Sequence, residues 1–264
     1  MATERRVEPW LSVVIPFFDE EETLPAVCAE VTAVLDAALD RPWELILVDD
    51  GSRDRTGELA DAFAAARPGR CRVLHLRPNS GQSAALEAGF RAARGAVIAT
   101  LDGDGQNDPA DIPRLLRAMA ETDVDLMGGV RARRADDWLR RVSSRIANRV
   151  RDAVLHDGVT DVGCSLRVFR REVVDGLPLF RHAHRFLPAL AQAAGWRVAE
   201  RPVGHRPRAA GRSKYGRGIN SRLWVGLLDL WGVWWLRRRL HRYAVTDEAG
   251  RRVGGSGRPP GEDA

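Results

Sequence analysis

The feature that most constrains this chain is a repeated alternation in its first half: short apolar, β-branched runs, each followed by an Ala-rich segment of helical periodicity. Such runs, bounded by turn residues and separated by helices, predict parallel strands with covering helices. Strands are expected at Leu11–Phe17, Glu44–Asp49, Arg72–Leu76, Ala96–Leu101 and Val124–Gly129, with helices near 22–38, 54–66, 82–93 and 111–120. The fold class is therefore α/β, with a mostly parallel central sheet flanked by helices. Acidic residues cluster where strands end, Asp49 and Asp50 after the second and Asp102 and Asp104 after the fourth. Carboxyl ends of strands line the ligand crevice of open α/β sheets, so these four carboxylates are expected to share one pocket.

The second half has a different character. Within Asp137–Leu155, Leu139, Val142, Ile146 and Val150 recur at helical spacing, with Arg140, Arg141, Arg145 and Arg151 opposite. A strand at Ser165–Phe169, a helix near 185–194 and a strand at Trp196–Val203 are expected to complete the sheet, before a basic loop from His205 to Gly218. Residues 1–130 carry 13 Arg against 23 acidic residues, whereas 131–264 carry 28 Lys+Arg against 13, so the halves face different partners. A basic half suits phosphate-bearing ligands, nucleic acid or an anionic membrane alike, and charge does not choose among them. A single lysine, Lys214, stands among the arginines.

The longest apolar stretch, Leu223–Leu236, is 14 residues long, is interrupted by Asp229, holds four of the eight tryptophans and runs into Arg237-Arg238-Arg239. A spanning helix wants roughly 20 apolar residues, so this segment is expected to lie in the headgroup region as an amphipathic, monotopic helix. Packing on the rest of the chain, or at a homo-oligomer interface, is the alternative. Residues beyond Asp247 are Gly, Pro and charge, and are expected to form a disordered tail. The N-terminus lacks an apolar run before a small-residue cleavage site, and the three cysteines have neither disulfide nor metal spacing. A cytoplasmic setting follows as the expectation.

Two clusters carry chemistry. Asp102-Gly103-Asp104-Gly105-Gln106 offers two carboxylates and an amide oxygen at a strand end. Mg²⁺ is typically held by one or two carboxylates plus substrate phosphates. A glycine-rich acidic turn without metal fits the local pattern equally well, but an EF-hand does not, because its twelfth position falls on Pro113. Val48-Asp49-Asp50-Gly51-Ser52, with Asp54 and Thr56, offers carboxylates for a base or ribose and caps for the next helix. No GxGxxG follows a strand and no Walker A sequence occurs, which disfavours dehydrogenase and P-loop classes.

Together these segments resemble glycosyltransferase family 2, and within it the polyprenyl- or dolichyl-phosphate sugar synthases, over about residues 10 to 217. Pro16-Phe17-Phe18-Asp19-Glu20 is similar to the family's opening nucleotide-binding turn, with Asp19 where Asn is common. Val48–Thr56 resembles its DDxSxDxT segment, and Asn79-Ser80-Gly81 with Ala84 and Ala85 its NxGxxxA helix start. Asp102, Asp104 and Gln106 fall on DxDxQ, Gly129-Val130-Arg131 on GxR, Asp161 through Arg167 on DxxxS[FL]R, and Arg208 through Lys214 on RxxGxSK.

The resemblance implies a GT-A fold, a nucleoside-diphosphate sugar donor and Mg²⁺ or Mn²⁺ at Asp102, Asp104 and Gln106. It implies a nucleoside pocket at Pro16, Phe18, Glu20, Asp49 and Asp50, and phosphate contacts from Arg131, Arg208 and Lys214. Residues 1–217 would be the catalytic domain, 218–246 the membrane-interface helix and 247–264 the tail. The implied reaction passes a hexose, mannose or glucose by family weight, to a polyprenyl phosphate on the cytoplasmic membrane face, with inversion. Asp104, Asp161 and Arg131 are the expected catalytic residues. Asp161 would be the base for a hydroxyl acceptor on an envelope glycan or lipid, and an orienting residue for a phosphate acceptor. A catalytically silent membrane-recruiting module is the rival class. Nucleic-acid binding is disfavoured, because the positive charge is segregated from an acidic cleft and the tryptophans lie in one helical segment.

Overall fold

The computed structural model of the protein describes residues 8–131, 149, 151–208, 219–241, 243–249 and 252–258. β1 (Leu11–Phe17) and β2 (Trp43–Asp49) are buried almost throughout. Near-continuous apolar runs of this kind are what strands covered on both faces require. Along β1, Leu11, Val13 and Ile15 enter one core layer and Val14 enters the other, as the two-residue period of a strand dictates.

α1 (Leu24–Ala38) closes the first layer through Leu24, Val27, Cys28, Val31 and Leu35, one helical stripe, with a proline in its first turn. α2 (Thr56–Ala65), β3 (Cys71–His75), α3 (Gln82–Ala92), β4 (Val97–Thr100) and α4 (Asp111–Glu121) follow in the expected alternation, and β5 (Leu126–Arg131) starts two residues later than predicted. Beyond β5 come β6 (Arg167–Arg170), α5 (Leu187–Ala193), β7 (Val198–Val203) and α6 (Ile219–Arg237).

The seven strands lie in the order β3-β2-β1-β4-β6-β5-β7. β1 pairs in parallel with β2 and β4, and β5 with β7, whereas β6 runs antiparallel to both β4 and β5. The sheet is thus mostly parallel, and its carboxyl ends present the turns after β1, β2 and β4 on one edge.

Three expectations need amendment. The segment beyond Asp247 is not structureless, since β8 (Tyr243–Thr246) pairs antiparallel with β9 (Arg252–Ser256). Glycine-rich composition reads as disorder, but Arg258, just past β9, bonds both Asp123 and Asp125 and ties the hairpin down. Residues 132–148 of the expected Asp137–Leu155 helix lie outside the described residues; 151–155 is helical, and Arg151, assigned to the basic face, is buried and paired with Asp157. α6 also packs on the protein: Leu230 and Val233 are buried in the second core layer, while Trp224, Leu228, Trp231 and Trp235 are exposed. No helix among the described residues is long and apolar enough to cross a membrane.

Candidate active site

The turn after β1 is held by side chains of the turn after β2. Ser52 Oγ accepts from the Asp19 amide (2.9 Å), Asp19 Oδ1 from the Arg53 amide (2.7 Å) and Thr56 Oγ1 from the Glu20 amide (2.7 Å). Asp19 sits at φ 49°, a left-handed position where Asn and Asp are the tolerated side chains. That geometry accounts for aspartate standing where the family motif has asparagine.

The two acids at the end of β2 have separate tasks. Asp49 accepts from the Ser52 amide (2.9 Å) and meets His75 Nδ1 (3.0 Å), and it does not line the cavity. Asp50 lines the cavity while its carboxylate organises the turn before α3, accepting from Ser80 N (2.7 Å), Gly81 N (2.8 Å) and Asn79 Nδ2 (3.0 Å). Burial is the largest influence on Asp50 and holds its carboxyl above the ordinary range, the like charge of Asp49 adding to it against the amide bonds.

The turn after β4 closes the floor. A Cβ on Gly103 would stand 2.4 Å from the Phe17 ring, so only glycine lets Asp102 and Asp104 approach the end of β1 this closely. Asn107 Oδ1, buried beneath, accepts from the Asp102 amide (3.0 Å) and from Ser165 Oγ (2.9 Å). Gln82, the first residue of α3, donates to Asp102 Oδ1 at 2.6 Å. Burial, followed by the charge of Asp104, pushes the Asp102 carboxyl up to about 6. Arg208 Nη2 reaches Asp104 Oδ2 at 2.8 Å and Glu20 Oε1 at 3.8 Å.

These turns enclose a cavity of about 280 Å³. It brings together Pro16, Phe18, Glu20, Asp50, Asp102, Asp104 and Arg208 of the expected residues. Gln106 is directed elsewhere: its amide lies near His205 Nε2 (3.5 Å) and the Arg206 carbonyl (3.3 Å). Arg131 and Asp161 form their own unit, with Nε to Oδ2 at 2.7 Å and Nη2 to Oδ1 at 2.8 Å, and neither lines the cavity. Lys214 lies outside the described residues. Gln82 and Asn107 carry little sequence signal of their own; Gln82 stands directly after a glycine at a helix start.

Asp102 and Asp104 suit a divalent cation. The Asp102 carboxyl, whose proton affinity burial and the neighbouring Asp104 charge raise, is relieved by a hard cation taking oxygen ligands. Among the described residues no three His, Cys, Asp or Glu side chains converge as a complete metal cage.

The chain is 41% identical over 206 residues to an undecaprenyl-phosphate 4-deoxy-4-formamido-L-arabinose transferase of Aeromonas hydrophila, covering 78% of this chain and 63% of that protein. It is 38% identical over 231 residues to a dodecaprenyl-phosphate galacturonate synthase of Rhizobium johnstonii, covering 86% and 67%. The chain therefore spans somewhat under two thirds of the Aeromonas relative's length. Among solved structures, glucosyl-3-phosphoglycerate synthase from Mycobacterium tuberculosis with Mn²⁺ and UDP superposes with TM-score 0.62 at 19% identity, covering 95% of this chain and 88% of that one. A mannosyltransferase from Pyrobaculum calidifontis with GDP-mannose and Mn²⁺ gives 0.57 at 17% identity, covering 90% and 66%. These two establish the GT-A fold alone. The family model described as glycosyl transferase family 2 matches residues 12–177, and with the relatives' identity it shows that the chain belongs to that family.

Proposed function

We propose that the protein transfers a sugar from a nucleoside-diphosphate sugar to a polyprenyl phosphate at the cytoplasmic face of a membrane, with inversion. One observation supports it most: the cavity in which Asp102, Asp104 and Arg208 meet below Pro16, Phe18 and Asp50. Both relatives are named for polyprenyl-phosphate sugar transfer, to undecaprenyl and dodecaprenyl phosphate. The sugars in those names are a formamido-arabinose and a galacturonate, so we widen the expected mannose or glucose to a pyranose of either kind.

Asp50 and the turn around Phe18 hold the nucleoside, and Asp102 with Asp104 hold Mg²⁺ or Mn²⁺. When bound, that cation neutralises the pyrophosphate as charge builds on the leaving group. Arg208 bonds Asp104 before donor arrives, and its guanidinium fork is suited to shift onto phosphate oxygens. Lys214 is assigned to the same task, and Gln106 enters the metal shell only if its amide leaves His205.

A phosphate acceptor needs no base, since its second pKa of about 6 leaves it largely dianionic near neutrality. Asp161, with both oxygens engaged by Arg131, is then a positioning residue that aims Arg131 at acceptor phosphate. The exposed Trp224, Leu228, Trp231 and Trp235 of α6 supply the membrane contact, beside Arg238 and Arg239, which stack on Trp234 (4.0 Å) and Trp235 (4.3 Å).

The test is transfer from UDP- and GDP-sugars to a short polyprenyl phosphate, with Mn²⁺ or with chelator. Metal-dependent formation of an acid-labile sugar phosphate is expected, falling at least ~100-fold in Asp104→Asn. Transfer to hydroxyl acceptors only would refute the acceptor, and absence of metal-dependent nucleotide binding would favour a silent recruiting module.

A further inference from the structure

Behind the donor cavity lies a second, smaller one of about 20 Å³, and the two share Gln82 and Asp102 as a common wall. Its far side is apolar, built from Leu86, Phe90 and Leu179, and its polar end from Ser83, Arg167 and His184. The volume admits one or two water-sized groups, hence a substituent and not a sugar ring.

The hydrogen bonds at the polar end fix what it offers. The His184 amide points at Ser83 Oγ (3.4 Å), so the Ser83 hydroxyl proton is free for His184 Nδ1, 2.7 Å away. That assignment leaves the imidazole proton on Nε2. Burial, followed by the charges of Arg185, Arg167 and His182, pushes the His184 pKa down to about 3, and the ring is neutral near physiological pH. Nε2 has no partner among the described residues and is a donor. Arg167, 5% exposed, gives Nη1 to the His184 carbonyl and Nη2 to the Val162 carbonyl (3.2 Å), and adds positive charge beside the ring. The Asp102 carboxylate lines the same space, and with a cation on Asp102 and Asp104 to offset it, the Nε2 donor and the Arg167 charge favour an acceptor oxygen that carries partial or full negative charge.

Given the nucleotide-sugar site proposed above, on which this depends, we infer that the Ser83–His184 cavity receives a carbonyl-bearing substituent of the donor sugar, on the ring edge opposite the anomeric carbon. Gln82 and Asp102 line both cavities, so a donor whose pyrophosphate lies against Asp102 would have the Ser83–His184 pair next to its sugar. His184 is then a specificity-determining residue, and Ser83 the positioning residue that keeps its proton on Nε2.

Two matched pairs of probes test this: UDP-glucose with UDP-glucuronic acid, and UDP-galactose with UDP-galacturonic acid. Each pair differs only in whether the C5 substituent is hydroxymethyl or carboxylate. Affinities are measured by calorimetry on the full chain with Mn²⁺, alongside UDP. We expect at least one carboxylate member to bind five-fold or more tighter than its partner. His184→Phe, which fills the cavity, and the milder Ser83→Ala should bring that ratio towards one while UDP affinity stays within two-fold. Equal affinities within both pairs, or a ratio untouched by either variant, would overturn the inference and leave the proposed function standing. A wild-type chain that binds neither UDP nor any of the four with Mn²⁺ would overturn both.

Discussion

At the scale of single residues, buried charge shows how far the sequence is legible. The acids at strand ends announce a site, but Asp49 and Asp50 are neighbours of one type, and only the pairing of Asp49 with His75 separates a turn residue from a cavity residue. Ser83 and His184, 101 positions apart, carry no joint signal in the chain. In the sequence Glu44 is only the first residue of an expected strand, yet it is 1% exposed and accepts from Ser12 Oγ (2.7 Å), Arg94 Nη2 (2.7 Å) and Arg72 Nη2 (3.0 Å). Burial pushes its carboxyl up, but the Arg94 and Ser12 bonds outweigh it and the folded pKa lies below the ordinary 4.5. A carboxyl depressed on folding stabilises the protein above its unfolded pKa, and that contribution is lost as pH falls through the folded value. Glu44→Ala also leaves the half-buried Arg72 and Arg94 guanidinium groups without their carboxylate, at a cost of about 1–3 kcal/mol. Urea unfolding at neutral pH should show that loss, and the gap from wild type should shrink on acidification below the carboxylate range. An unmoved midpoint would count against this account of Glu44.

At the scale of elements, periodicity located the strands β1 to β7 and the helices α1 to α5 to within about two residues, because that pattern is set by the solvent on each face. Pairing order is another matter. β6 enters antiparallel between β4 and β5, and no local period encodes which neighbour a strand will choose. α6 was legible as an apolar segment but not as a helix with two apolar faces. Val233 is fully buried against the domain, whereas Trp224, Leu228 and Trp231 are 68%, 67% and 61% exposed at helical spacing. The faces should therefore separate by mutation. Replacing Trp224, Leu228 and Trp231 together by serine removes little native packing, so the melting temperature should move by no more than a few degrees. Sedimentation with vesicles containing anionic lipid should fall at least ~10-fold, since interfacial binding scales with apolar area and with attraction of basic residues. Val233→Ala should do the reverse, lowering stability by about 1–2 kcal/mol with vesicle binding unchanged. Triple-serine protein that still sediments with vesicles would place the membrane contact elsewhere.

At the scale of the whole molecule, charge ties the two ends of the fold together. The acidic first part and the arginine-rich second part are visible in composition, and that division alone implies different partners. The structure shows that much of it is internal. Arg258, beyond β9, bonds Asp125 Oδ2 through Nε (3.0 Å) and Asp123 Oδ2 through Nη1 (2.8 Å), while Arg170 and Arg197 reach the same acids. These acids precede β5, at the edge of the sheet opposite the cavity, so the C-terminal hairpin that follows α6 is strapped to the rear of the domain. Composition could not show this, because a lone arginine in a Gly-Pro tail looks the same whether it is solvated or clamped. Asp125 is only 1% exposed, and removing one of its guanidinium partners leaves a buried carboxylate less well paired, at a cost of about 1–2 kcal/mol. Arg258→Ala should lower unfolding free energy by that amount and open the hairpin to protease ahead of the domain. Nucleotide affinity in the presence of Mn²⁺ should stay within about two-fold, a shift of under half a kcal/mol, because the clamp and the cavity occupy opposite edges of one rigid sheet. A variant whose nucleotide affinity collapsed while its hairpin stayed protected would mean that the rear of the sheet governs the donor site directly.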